Sequence, residues 1–222
     1  MAGKRVAFVN TVSSLPAVFK GLVSELAPHL ETYSIVDESL LQDTIRSGEL
    51  SKATIRRLVT YLQLAQETGA DLVMVTCSSI GPAADIGRTM VDIPVLRVDE
   101  PMAEKALSSG QRIGVAATLS TTLTPTASLI ERKAAQAGKN VTIISKLCAG
   151  AFEALQSGDT ARHDALVRAG LEELMPQVDV VVLAQASMAR IVDALPPNGN
   201  RLPIYSSPRL AVEHLARITG GR

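Results

Sequence analysis

The sequence predicts an α/β protein of two related halves, each a mainly four-stranded parallel sheet flanked by helices. Three observations carry this. Short Val- and Ile-rich runs alternate with longer stretches of helical spacing, the pattern of β-α units on a parallel sheet. The chain is also written twice: Asp71-Leu72-Val73-Met74-Val75-Thr76-Cys77-Ser78-Ser79 reappears as Asp179-Val180-Val181-Val182-Leu183-Ala184-Gln185-Ala186-Ser187, an offset of 108. Arg5-Val6-Ala7-Phe8 returns at Arg112-Ile113-Gly114-Val115, an offset of 107, and Ile93-Pro94-Val95-Leu96 at Leu202-Pro203-Ile204-Tyr205, an offset of 109. Offsets so nearly constant mean two related halves with small loop insertions. Finally, no low-complexity tract or linker separates the halves, so a tight interface between them is expected.

Taken in order, the strands of the first half are expected at Val6–Asn10, Tyr33–Val36, Leu72–Thr76 and Val95–Val98. Their counterparts are Ile113–Ala117, Val141–Ser145, Val180–Ala184 and Ile204–Ser206. Helical spacing covers Ala17–Leu30, Ser51–Thr68, Pro101–Ser109, Leu123–Ala137, Thr160–Met175 and Pro208–Ile218, with Leu58-Val59 matching Leu166-Val167 at offset 108. The first lobe is accordingly assigned residues 1–98 with 208–222, and the second 99–207.

The bulk composition narrows the function. A chain of 222 residues can bury a substantial core. Lys plus Arg balances Asp plus Glu at 22 each with no run of one sign, which argues against a nucleic-acid partner. After Met1 to Arg5 the apolar run is only Val6 to Val9, too short for a signal-peptide core or a membrane span, so a cytoplasmic location is expected. Two cysteines, Cys77 and Cys148, form no disulfide framework and in that compartment stay reduced. An apolar fraction of 46% and zero net charge leave little electrostatic barrier to self-association, and a homo-oligomer is expected.

In open α/β sheets ligands bind beyond the carboxyl ends of the strands, and here those ends are rich in hydroxyls. They read Asn10-Thr11-Val12-Ser13-Ser14, Thr76-Cys77-Ser78-Ser79 and Thr118-Leu119-Ser120-Thr121-Thr122. Each precedes a helix, so backbone N–H groups and hydroxyls converge on a spot suited to a carboxylate. The alternative is that these residues are ordinary N-caps, a role in which Ser, Thr and Asn dominate. Cys77 stands at such a strand-to-helix junction, where a helix dipole lowers a thiol pKa. A free Cys is otherwise often a small core residue, but Thr76, Ser78 and Ser79 are poor company for an apolar slot.

The strand-Thr-Cys-Ser-Ser segment, the Ala117-Thr118 loop and the duplicated plan resemble the aspartate/glutamate/hydantoin racemase superfamily, which also contains maleate isomerases and arylmalonate decarboxylases. The resemblance spans essentially the whole chain. It implies two pseudo-symmetric α/β lobes with the active site between the lobes, no metal, no organic cofactor and a small-molecule carboxylate substrate held by loop amides and hydroxyls. In two-base members one cysteine per lobe serves opposite faces of the carbon next to the carboxylate. Cys77 matches the first cysteine; the second falls on Gln185, within Leu183-Ala184-Gln185-Ala186-Ser187-Met188, where those members have Gly-Cys-Thr or Gly-Cys-Ala. The expected site is therefore Cys77 and Gln185 as the reacting pair, with Asn10, Thr11, Ser13, Ser14, Thr76, Ser78, Ser79, Thr118, Ser120, Thr121 and Ser187 around the substrate.

The replaced cysteine leaves the reaction open: an isomerase or racemase with one thiol, a lyase in which Cys77 protonates an enediolate after decarboxylation, a maleate-type cis-trans isomerase with Cys77 as nucleophile, or a small-acid-binding pseudoenzyme. Cys148, near the end of the second lobe's Val141–Ser145 strand, is a candidate replacement base, although flanking Leu147 and Ala149 favour a structural role. Asp99-Glu100 before Pro101 either reach the cleft or start a helix at its positive end. His29, His163 and His214 show no ligand spacing and read as surface residues, so no zinc site is indicated. No Gly-x-Gly-x-x-Gly follows a strand, and Ala137-Gly138-Lys139 lacks the rest of a phosphate loop, which disfavours NAD and ATP.

Overall fold

A computed structural model describes residues 3–192 and 202–220. Met1, Ala2, Gly221 and Arg222, which the expected lobe boundaries include, lie outside the described residues, as do residues 193–201. The chain divides into two compact units, Met1–Glu100 with Pro208–Arg222, and Pro101–Ser207.

In the first unit, β1 (Arg5–Asn10), β2 (Glu31–Val36), β3 (Leu72–Val75) and β4 (Val95–Arg97) form a parallel sheet in the order β2-β1-β3-β4. Central β1 and β3 are buried on both faces, which is why they read as unbroken apolar runs. Alternate residues serve the two faces. Ala7, Val9, Val73 and Val75 pack with Leu58 and Leu62 of α3 (Lys52–Glu67). Val6, Phe8, Leu72 and Met74 pack with Phe19 and Val23 of α1 (Leu15–Leu26), and with Val212 and Leu215 of α10 (Ser207–Ile218). The Phe8 and Phe19 rings lie 5.2 Å apart. Two shorter helices, α2 (Ser39–Ser47) and α4 (Gly81–Gly87), complete the unit.

The second unit repeats the plan. β5 (Arg112–Ala117), β6 (Thr142–Leu147), β7 (Val180–Leu183) and β8 (Ile204–Ser206) are parallel in the order β6-β5-β7-β8. Its helices are α5 (Glu100–Ser109), whose first residue belongs to the first unit, then α6 (Ser120–Gln136), α7 (Ala151–Gln156), α8 (Thr160–Leu174) and α9 (Ala189–Val192). The duplication reaches the strand feet. Asp71 accepts the Arg5 amide at 2.6 Å, while Asp179 accepts the Arg112 amide at 2.8 Å and its guanidinium at 2.7 and 3.0 Å. The Arg112 side chain and the nearby amides hold the Asp179 carboxyl at about 2.

Every expected strand and helix is present in type, with ends shifted by a few residues. Four helices were not expected: α2, α4, α7 and α9 are only four to nine residues long, too short for periodicity to show. The Leu58-Val59 to Leu166-Val167 match is corrected. The helix caps do repeat at 108, Ser51 to Asp159, but the buried stripe repeats at 109: Thr54, Leu58, Leu62 and Ala65 answer to His163, Val167, Leu171 and Leu174. This one-residue rotation turns His163 inward.

Candidate active site

At the rim of the first unit, Asn10 and Thr76 tie the ends of β1 and β3 together. The Thr76 hydroxyl reaches Asn10 Oδ1 at 2.9 Å and the Val9 carbonyl at 3.1 Å, and Asn10 Nδ2 donates to the Phe8 carbonyl at 3.2 Å. Both residues are buried and hold the rim from within. Cys77 follows in extended backbone, φ −127° and ψ 118°, and leads into one 3₁₀ turn, Ser78–Ile80. The Gly81 amide closes that turn on the Ser78 carbonyl, and α4 begins there.

The expectation of a depressed Cys77 thiol is not met. Burial pushes it above the ordinary value, while hydrogen bonds from the Thr11 hydroxyl, the Ile80 and Ser79 amides and the Ser79 hydroxyl pull the other way without overcoming it. The physical reason is burial, which the single 3₁₀ turn and seven-residue helix that follow supply too little dipole to offset. Of the four donors Thr11 is the loosest, since its hydroxyl is buried yet makes no hydrogen bond of full geometry.

The second unit places Gln185 in nearly the same backbone, φ −132° and ψ 138°, before the 3₁₀ turn Ala186–Met188, which the Ala189 amide closes on the Ala186 carbonyl. Its Oε1 accepts the Thr118 amide at 2.5 Å and the Thr118 hydroxyl at 2.9 Å. Two donors on one atom identify it as the oxygen. Among the described residues Nε2 has no partner, so the carboxamide is fixed by its oxygen and keeps its N–H donors uncommitted. Thr118 stands where Thr11 does in the first unit, so each rim pairs a threonine with its Cys or Gln.

The hydroxyl loops are not ordinary caps. The residues at the helix starts, Ser14 before α1, Leu119 before α6, Cys77 and Gln185, make no side-chain capping bond. Elsewhere the chain does cap: Ser51 accepts the Thr54 amide at 3.1 Å and Asp159 accepts the Arg162 amide at 3.0 Å. Thr121 Oγ1 is buried without a hydrogen bond, Ser13, Ser14 and Ser120 are exposed, and Ser187 is half-buried. The Ser13 amide donates to Glu38 Oε1 at 2.9 Å. Asn10, Thr11, Thr76, Ser78 and Ser79 thus gather around Cys77, whereas Ser13 and Ser14 lie further out on the loop into α1.

The remaining candidates separate cleanly. Cys148 is buried against Ala116, Val167, Leu171 and Leu183, and burial raises its thiol despite nearby Lys146. The equivalent position is Asp37: the Cys148 amide donates to the Ala117 carbonyl as the Asp37 amide does to that of Asn10. Burial works to raise the Asp37 carboxyl, but hydrogen bonds from Ser39 and Tyr61 and the Arg57 charge outweigh it and leave it low. Of the two readings of Asp99-Glu100, the helix start holds for Glu100, the first residue of α5. Asp99 is fully buried and bidentate with Arg97, at 3.0 Å to Nε and 2.8 Å to Nη2, and Glu100 pairs with Arg88 at 2.5 Å. Arg97 Nη1 also reaches Asp85 at 2.7 Å. Sequence reasoning missed this cluster, although a lone Arg in the apolar Val95–Val98 run with Asp two residues on is its signature. His163 is corrected from surface to core: it is fully buried, with Nδ1 2.8 Å from Asp164 Oδ1. No group of three His, Cys, Asp or Glu among the described residues could hold a metal ion, and among them no helix is long and apolar enough to cross a membrane.

Comparison with known proteins now bears on this geometry. No curated protein matches the sequence. Among solved structures, the chain resembles a glutamate racemase isoform from Bacillus anthracis at TM-score 0.74 and 17% identity, over 99% of this chain and 83% of that one. It resembles the Picrophilus torridus aspartate racemase at 0.74 and 15%, over 99% and 96%. An allantoin racemase from Klebsiella pneumoniae gives 0.67 and 17%, over 98% and 88%. Identities this low establish the fold alone. The family profile described as Asp/Glu/Hydantoin racemase matches residues 9–215, and so the chain belongs to that family of PLP-independent isomerases.

Proposed function

We propose that the chain moves a proton at the carbon adjacent to the carboxylate of a small acid, amino-acid or hydantoin-like, without a cofactor and with Cys77 as its one reacting thiol. The setting of Cys77 carries this reading: a half-buried cysteine on extended backbone at a strand end, its sulfur met by four donors, while the other cysteine is sealed in an apolar core. In the proposed step the Cys77 thiolate takes the proton from carbon, and the electron pair passes into the carboxylate as an enediolate. Ser78 and Ser79, beside Cys77 in the same unit, offer hydroxyls and amides to that developing charge. The proton then returns from Cys77 to carbon. Gln185 offers an N–H hydrogen bond and has no acid or base function near neutral pH. Inversion therefore needs a proton from another donor, such as water, and lags behind exchange. Incubation with amino acids and hydantoins in deuterated water, read by NMR, tests this: deuterium should enter the α-carbon, and Cys77→Ala should stop it.

The raised thiol favours one second reading. A protonated Cys77 is the form that quenches a carbanion, so a malonate-like acid would lose carbon dioxide, the C–C electron pair would pass to the enediolate, and the Cys77 S–H proton would go to carbon, with water reprotonating sulfur. Carbon dioxide release from malonates identifies that reaction.

A further inference from the structure

The two rims differ beneath the turn as well as on it. In the first unit the Arg97 guanidinium lies flat under Gly81: a Cβ placed on Gly81 would fall 2.4 Å from Arg97 Cζ and Nη2 and 2.7 Å from Nε. The guanidinium cannot simply swing away. It is 1% exposed, gripped at both ends by Asp99 and held at Nη1 by Asp85, and Asp85 and Glu100 are in turn bridged by Arg88. Gly81 is also the residue whose amide closes the 3₁₀ turn on Ser78. In the second unit the sheet register puts Ser206 beside Leu183 where Arg97 stands beside Val75, and Ala189 takes the place of Gly81. The turn with the buried charge clamp is the turn that carries the thiol.

We propose that Arg97 is a positioning residue: pinned by Asp99 and Asp85 against Gly81, it fixes the Ser78–Ile80 turn so that the Ser79 and Ile80 amides stay on the Cys77 sulfur. The cluster's contribution is geometric, since two arginines against Asp85, Asp99 and Glu100 add no net positive charge near the thiol. The clamp acts on the reaction through Cys77, and in that sense rests on the function proposed above.

The test is the pH dependence of iodoacetamide labelling of Cys77 in the full chain, read by mass spectrometry with Cys148 as internal reference; it needs no substrate. Gly81→Ala pushes the guanidinium off the turn. Arg97→Met with Asp99→Leu removes the clamp without stranding a buried charge, an exchange proteins often tolerate. Both should move the Cys77 labelling midpoint upward by about one pH unit, or about tenfold slower labelling below it, as expected when a thiolate loses amide donors. Arg97→Lys, which cannot make the bidentate pair, should fall between. Should either main variant fail to fold, Asp85→Asn, a milder change at the half-buried edge of the cluster, is read in its place and should shift the midpoint in the same direction. An unchanged midpoint in the folded variants overturns the proposal. Full turnover in Cys77→Ala would instead sink the functional reading and leave these midpoints untouched.

Discussion

Cys77 and Gln185 occupy backbones that differ by only 5° in φ and 20° in ψ, each followed by one 3₁₀ turn and a short helix. What the backbones present is different. The sulfur of Cys77 collects donors from its own turn and from Thr11, whereas Gln185 spends its oxygen on Thr118 and keeps only N–H groups for a ligand. Below the first turn lies a buried Arg97 cluster; the corresponding register position in the second unit holds Ser206. A duplicated fold can thus keep its backbone geometry while one position, and the residue beneath it, changes the groups a rim presents.

The comparison breaks first at Cys77→Ala. Turnover should fall by about 10²–10⁴-fold or more, the worth of a positioned acid or base, in a steady-state assay on whichever acid proves to be the substrate. Arg97→Met alone should cost about 3–5 kcal/mol in chemical denaturation, because it strands the fully buried Asp99 carboxylate. The equivalent Ser206→Ala should cost less than about 1 kcal/mol. Gln185→Ala removes a hydrogen-bonding group and no acid or base, and kcat/KM should fall by about 5- to 150-fold, or about 1–3 kcal/mol.

The smallest effect concerns pH. Both thiols are raised in the folded chain, so their contribution to stability is full below the unfolded thiol pKa and is lost as pH rises through the folded value. Urea unfolding should therefore show stability declining above the ordinary thiol range, and the Cys77→Ala, Cys148→Ala double variant should lose that part of the decline. Iodoacetamide should also label half-buried Cys77 ahead of Cys148, which is 3% exposed.

The fold was legible because the centres of β1, β3, β5 and β7 are buried on both faces and so read as apolar runs, and because the repeat kept their spacing. The site was legible in part. Thr76-Cys77-Ser78-Ser79 and its partner at Gln185 announce a rim, but whether a hydroxyl caps a helix or stays uncommitted depends on local geometry that Ser14 and Ser51 do not reveal by residue type. Thiol pKa depends on the balance of burial and donors, which spacing does not encode. His163 was misread because a one-residue change in helix phase reverses exposure; the Arg97-Asp99 pair had a local signature, but Asp85 joins it only through the packing of α4 against β4.

The most direct measurement follows deuterium and configuration together. A single enantiomer of an amino acid or hydantoin that the chain binds is incubated in deuterated water, with α-carbon exchange read by NMR and handedness by chiral chromatography. The one-thiol account predicts exchange well ahead of inversion in the natural chain, none in Cys77→Ala, and faster inversion in Gln185→Cys, where a thiol returns to the second rim. Inversion keeping pace with exchange in the natural chain, or exchange persisting in Cys77→Ala, would contradict it.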